Sequence, residues 1–314
     1  MIKNKKILIT GLNSSISKKF IFLIKKTILN ANIYILTNKK INNLKQNNIN
    51  IIFINKQYSD LYKYKKILNS CDYFFHFAYQ NSELFAQENP LEDLKINGIG
   101  LHNILKETQN NKKLKFIFIS TASIYQTSKK IINEMSKIQV LSYYNLHKYY
   151  CESLIKFYSN FSQNKFIIIR LSNLYGDFDL TKRDFLLNCV DRIKKNISIN
   201  IYGTGKYLRD FIHIDDVAQA LVKIMRKNFH KKIDIFNLSS GKSITLIDLI
   251  KLIIKKNNKI RSKFKGEIKF SKNSNKLTKR NFLSNPNKFS KNFNWRPSIN
   301  LEDGIEKLIK KIKY

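Results

Sequence analysis

The chain has little of what usually breaks, staples or anchors a fold. Its 314 residues include only three prolines, nine glycines and three cysteines. So little proline and glycine excludes long flexible linkers and collagen-like or low-complexity architecture. Cys71, Cys151 and Cys189 are widely spaced and odd in number, which excludes a disulfide framework and gives no zinc-ligand spacing. A reducing, cytoplasmic setting is the expectation. Uninterrupted apolar runs stop at strand length, as at Phe166–Ile169, far short of the roughly 20 residues of a membrane span. The opening "MIKNKKILITG" has no long apolar core and no small-residue cleavage site, so it reads as a first strand and not a secretion signal.

Acidic residues are also scarce. There are 22 Asp and Glu against 58 Lys and Arg, a formal charge of +36. Such a charge raises nucleic acid or an acidic membrane as a partner. The lysines are spread along the chain with Asn and Ile, as AT-rich codons produce, and do not cluster into a stripe. No nucleic-acid partner and no membrane span are expected, although a basic surface still draws in an anionic substrate.

What is present is a packed globular interior, with 43% hydrophobic residues. The length allows one large domain or two that share a core. Short apolar runs predict strands at 6–10, 32–36, 50–54, 73–77, 115–120 and 165–171. They alternate with helical spacing at 18–29, 58–69, 90–110 and 143–160. This alternation predicts an α/β fold with a Rossmann-type doubly wound parallel sheet. After residue 171 the regularity falls. Helices are expected at 181–195, 215–227 and 245–255, and short strands at 198–202 and 233–237, in a smaller C-terminal α+β lobe.

Three stretches carry chemistry. "ILITGLNSSISKKF" places Gly11 where a phosphate turn follows a first strand, but Ser14 and Ser17 stand where two further glycines are expected. In "SYYNLHKYYCE", Tyr144 and Lys148 are four apart and share a helix face. An ammonium beside a phenol favours the phenolate, so the pair can act as a general acid/base. In "FIFISTASIYQ" a strand ends in the hydroxyls of Ser120, Thr121 and Ser123, at the sheet edge where α/β folds bind ligands. Strand-end capping is the alternative use of these hydroxyls. His213 with Asp215 and Asp216 could be taken for a metal site; none is expected, and Asp215 is expected to N-cap a helix.

These motifs, with Ala78 in "HFA", Asn97, "RLSNLYG" at 170–176, "IYGTGKYLRDFIHIDDVAQAL" at 201–221, "FNLSSGKSITLIDLI" at 236–250 and a C-terminal block from 279 to 305, come in the order and spacing of a known family. The chain resembles the extended short-chain dehydrogenase/reductases, which are NAD(P)-dependent nucleotide-sugar epimerases, dehydratases and reductases. The resemblance covers nearly the whole chain. It implies that residues 1–171, with parts of 205–240, bind the dinucleotide, and that 172–204 and 241–314 bind a nucleotide sugar.

The resemblance also implies roles. Tyr144 would be the acid/base. Lys148 would hold the nicotinamide ribose and depress the Tyr144 pKa. Thr121 would bond the reacting sugar oxygen, with Ser123 nearby. Gly11, Ser14, Ser17, Thr37, Lys39, Ala78 and Asn97 would lie along the cofactor. Asn173 and Arg209 would contact the sugar diphosphate, and Arg280 would be a second phosphate contact or a ribose contact. The dehydratases' Asp-Glu pair is replaced by Ala122 and Ser123, so 4,6-dehydration is not expected. That leaves a 4-epimerase or a 4-keto-sugar reductase in surface polysaccharide synthesis, acting as a homodimer. Thr37 carries no acid for the ribose hydroxyls, and Lys39 and Lys40 follow it, which favours NADP over NAD. A competing reading is a binding or regulatory protein whose cofactor turn has decayed.

Overall fold

The computed structural model describes residues 5–27, 31–37, 49–53, 60–176, 185–261, 263–271 and 280–311. The chain divides into two compact units. The first comprises Met1–Ile124, Val140–Arg170 and Ala218–Phe236; the second comprises Tyr125–Gln139, Leu171–Val217 and Asn237–Tyr314. The strands, in chain order, are β1 (Lys6–Thr10), β2 (Asn32–Thr37), β3 (Ile49–Phe53), β4 (Tyr73–His76), β5 (Lys115–Thr121), β6 (Lys165–Leu171), β7 (Asn173–Tyr175), β8 (Ile199–Tyr202), β9 (Leu208–His213), β10 (Ile233–Leu238), β11 (Ser243–Thr245) and β12 (Ile268–Ser271).

The first unit is built on a seven-stranded sheet in the order β10-β6-β5-β4-β1-β2-β3. Neighbours from β3 through β5 pair in parallel. This is the doubly wound arrangement expected from the strand–helix alternation, and it reverses direction between β1 and β4. Strands β1, β4, β5 and β6 are buried on both faces, which is why they read as continuous apolar runs. Phe74, Phe116, Phe118 and Phe166 form the centre of the core between the sheet and the helix Tyr143–Ser159.

Three helical segments differ from the sequence expectation. The segment 90–110 is not one helix. Pro90–Leu94 runs into a π-helical turn, Lys95–Ile99, before Gly100–Thr108 resumes α geometry. Gly98 in that turn lies so close to the long helix that a Cβ would stand 2.9 Å from the Tyr150 ring. The described part of 58–69 forms a 3₁₀ turn, Leu61–Tyr64, and one α turn, Lys65–Leu68. The first helix starts at Ser15 and not at Lys18.

The second unit has a three-stranded sheet, β11-β9-β7, and the parallel pair β12-β8. Helices Phe185–Lys194, Leu246–Ile260 and Leu301–Lys311 pack their apolar faces into one cluster with Tyr175 and Phe211. Asp215 is not the cap expected of it. The helix begins at Ile214, and the Asp215 backbone N–H donates to His213 Nδ1 at 3.1 Å.

Candidate active site

Three side chains named from the sequence come together in the first unit. The N-cap Ser142 accepts from the Asn145 N–H at 3.3 Å and starts the helix Tyr143–Ser159. One turn then separates half-buried Tyr144 from buried Lys148. At the end of β5 the Thr121 hydroxyl faces the Tyr144 phenol. Thr121 Oγ1 lies 2.9 Å from Ser123 Oγ, which donates to Asn145 Oδ1 at 2.6 Å. The hydroxyls at this strand end thus form one chain running from the phenol to the next residue of its own helix.

The expectation that Lys148 depresses the Tyr144 pKa is overturned. Burial raises the phenol well above its ordinary range, the Glu83 and Asp93 charges add to the rise, and only Thr121 opposes it. Tyr144 is therefore a protonated phenol at neutral pH. The shift falls on Lys148 instead: burial pushes its ammonium down to about 7. Lys148 Nζ donates to the Ile119 carbonyl at 2.7 Å and sits 3.3 Å from the centre of the Tyr79 ring.

A buried ion pair and a buried Asp–His hydrogen bond frame these groups, and sequence spacing points to neither. Glu152, one turn after Lys148, receives Arg170 through Nε at 3.0 Å and Nη2 at 2.7 Å, and the Ser120 hydroxyl at 2.6 Å. This clamps the helix to β5 and β6. Asp93 meets His147 Nδ1 at 2.5 Å and accepts from Asn97 Nδ2 at 3.1 Å. Asn97 Oδ1 accepts from the Gln80 N–H at 2.8 Å, so Asn97 holds the loop after β4.

The turn after β1 fits a dinucleotide. Gly11 has φ +74°, and a Cβ there would stand 2.5 Å from the Ala78 backbone nitrogen, so only glycine lets the ends of β1 and β4 meet this closely. Thr10 Oγ1 accepts from the Ala78 N–H at 3.1 Å and bonds His76 Nδ1 at 2.9 Å; burial drives His76 down to about 3, so it stays neutral. The turn then enters a helix N-terminus, which suits a phosphate. The two serines differ. Ser14 is half-buried, with its N–H on Gly11 O at 2.9 Å. Ser17 is fully buried, and among the described residues its hydroxyl has no partner, so it lies inside the helix–sheet contact. Thr37 ends β2, and Lys39 lies outside the described residues.

In the second unit, exposed Asn173 donates to the Asp210 carbonyl at 2.9 Å. Arg209 donates to the carbonyls of Leu208 and Arg280 and stacks on Phe282. Arg280 is itself buried. Asp210, buried, accepts from Ser172, from the Ser240 N–H and hydroxyl, and from the Gly241 N–H; burial lifts it to about 6. Among the described residues no cluster could hold a metal ion, and no helix is long and apolar enough to cross a membrane.

The sequence and the fold both resemble known proteins. A family model described as the NAD dependent epimerase/dehydratase family matches residues 7–239. A Methanocaldococcus jannaschii protein provisionally named UDP-glucose 4-epimerase is 30% identical over 291 residues, 90% of this chain and 91% of that one. The Escherichia coli dTDP-4-dehydro-6-deoxyglucose reductase is 32% identical, over 66% of this chain and 64% of its own. The crystal structure of UDP-glucose 4-epimerase from Thermotoga maritima with UDP-glucose superposes with a TM-score of 0.83 at 23% identity, covering 97% of each chain.

Proposed function

Because the chain belongs to the NAD-dependent epimerase/dehydratase family, we propose that it carries out hydride chemistry at a hexose carbon of a nucleotide-activated sugar, as a 4-keto-sugar reductase. One observation supports it: the half-buried Tyr144 phenol stands beside Thr121 and is protonated at neutral pH, the state needed to give a proton to a keto oxygen. The nicotinamide cofactor supplies or takes up the hydride. Tyr144 gives its phenol proton to the sugar oxygen and is reloaded from solvent. Thr121 orients that oxygen. Gly11 and the helix N-terminus after it hold the pyrophosphate, and Lys148 holds the ribose. Asn173 and Arg209 of the second unit are the proposed contacts for the sugar diphosphate. An uncharged Thr37 leaves NADP as the preferred cofactor.

A second reading, a 4-epimerase, is favoured by the relative that matches most of this chain. It uses the same residues, with Tyr144 taking the proton first and returning it. Two relatives that are 26% identical are dTDP-D-glucose 4,6-dehydratases. Ala122 and Ser123 carry no carboxyl group, so dehydration is left out of this reading. Exposed Leu146 and Phe157 on the long helix, and exposed Leu91 on the short helix Pro90–Leu94, support a homodimer through these segments. Light scattering on Phe157→Glu should show a monomer if that face is covered by a second copy.

The decisive experiment measures turnover of a 4-keto nucleotide sugar with NADPH and with NADH, in the parent protein and in Tyr144→Phe. Loss of the acid should cost about 10²–10⁴-fold in rate with cofactor binding unchanged. Unchanged turnover in Tyr144→Phe would sink the assignment. Net inversion at the sugar without net cofactor oxidation would turn it into an epimerase.

A further inference from the structure

Lys148 is an ammonium in a place that ought not to keep one. It is 4% exposed and, among the described residues, forms no ion pair. The nearest carboxylates are already committed, Asp93 to His147 and Asn97, and Glu152 to Arg170 and Ser120. A buried cation without an acid normally gives up its charge. What faces Lys148 is aromatic: the Tyr79 ring centre at 3.3 Å and the Phe118 ring centre at 5.0 Å, with the Ile119 carbonyl at 2.7 Å as its hydrogen-bond acceptor.

Tyr79 is held in that pose from both sides. Its neighbours' backbone N–H groups are tied down, Ala78 to Thr10 Oγ1 at 3.1 Å and Gln80 to Asn97 Oδ1 at 2.8 Å. Its ring also stands perpendicular to Tyr144, with centres 5.9 Å apart. Its hydroxyl is buried and, among the described residues, has no hydrogen-bond partner; the part of Tyr79 that meets Lys148 is the ring face.

We propose that Tyr79 is a positioning residue for Lys148: the face of its ring adds contact stabilisation to an ammonium that no carboxylate meets in an ion pair among the described residues, and so fixes where the cation stands beside Tyr144. This rests on the reading of Lys148 as the ribose-holding residue only for its consequence, not for its geometry. A desolvated cation–π contact is large enough to matter. The other groups that bear on Lys148 are Asp93, Cys151 and Glu152, which favour its charge, and His76 on β4, which is neutral. None of them is altered by changing Tyr79.

The test follows Lys148 directly in the full chain without cofactor. Lysines labelled with ¹³C at Cε are titrated by NMR, and the Lys148 resonance is identified by its loss in Lys148→Met. Tyr79→Phe keeps the ring and should titrate like the parent, near the value of about 7. Tyr79→Leu and Tyr79→Met remove the ring at similar bulk and should lower that midpoint by about one pH unit or more. Two variants are used so that a folding failure in one leaves the other. Equal shifts in Tyr79→Phe and Tyr79→Leu, or no shift in either ringless variant, would overturn the proposal. Fluorescence titration with NADPH separates the two readings. If the midpoint moves as expected but no form binds NADPH or NADH, the cofactor reading fails and the role of Tyr79 stands. If cofactor binds and the midpoint is indifferent to Tyr79, the reverse holds.

Discussion

Glu152 and Lys148 lie one turn apart on the same helix, both inside the protein, and they are treated in opposite ways. Glu152 has every partner a buried carboxylate can use: a two-pronged Arg170 and the Ser120 hydroxyl. Lys148 has a carbonyl and aromatic faces. The first arrangement stabilises the frame. The second keeps a charge at a disadvantage, which costs stability. Burial of charge therefore serves two ends within one helix, and the partner list separates them.

The comparison breaks most sharply by removing each charge. Glu152→Ala strands the Arg170 guanidinium in the core and should cost about 3–5 kcal/mol in denaturant unfolding. Lys148→Met should go the other way and stabilise by about 2 kcal/mol at neutral pH, because an apolar group of similar volume replaces an ion with no counter-ion. The pH dependence has a definite sign. The ammonium titrates at about 7 in the fold against 10.5 free, so its stabilising contribution is complete only above 10.5 and is lost as pH falls toward 7. The advantage of Lys148→Met should thus grow from pH 10 down to about 7 and then level off. A methionine variant less stable than the parent at pH 7 would show that Lys148 is a structural residue after all.

How much of this was legible in the sequence depends on whether the signal was local. The strands could be read because a sheet covered on both faces demands continuous apolar residues, as in "FIFIS" and "FIII". Tyr144, Lys148 and Thr121 could be read from helical spacing and a strand end. The π turn at Lys95–Ile99 could not, since its apolar positions also suit an unbroken helix and the turn is imposed by the close approach of Tyr150 to Gly98. The Asp93–His147 bond joins residues 54 apart, which no periodicity marks. The fall of the Lys148 pKa, with Tyr144 raised, comes from burial, and spacing says which groups are neighbours without saying how dry they are. Tyr79 sits in a loop, where residue type carries no pattern at all.

The same logic applies on a smaller scale in the phosphate turn. Ser17 is a neutral buried group, 0% exposed and without a partner among the described residues, in the first turn of the helix after Gly11. A hydroxyl left dry costs about 1–3 kcal/mol relative to one that is bonded, and alanine is the better helix former at that position. Ser17→Ala should therefore raise stability by about 1 kcal/mol, a shift of a few degrees in melting temperature for a chain of this size, with NADPH binding unchanged. Ser14→Ala is the matched control, because Ser14 is half-buried at the mouth of the turn and its loss should act on binding rather than stability. If Ser17→Ala instead weakens NADPH binding, the hydroxyl turns to the pyrophosphate when cofactor arrives, and its isolation belongs with that of Lys148: a group kept short of partners inside the fold because its partner comes from outside.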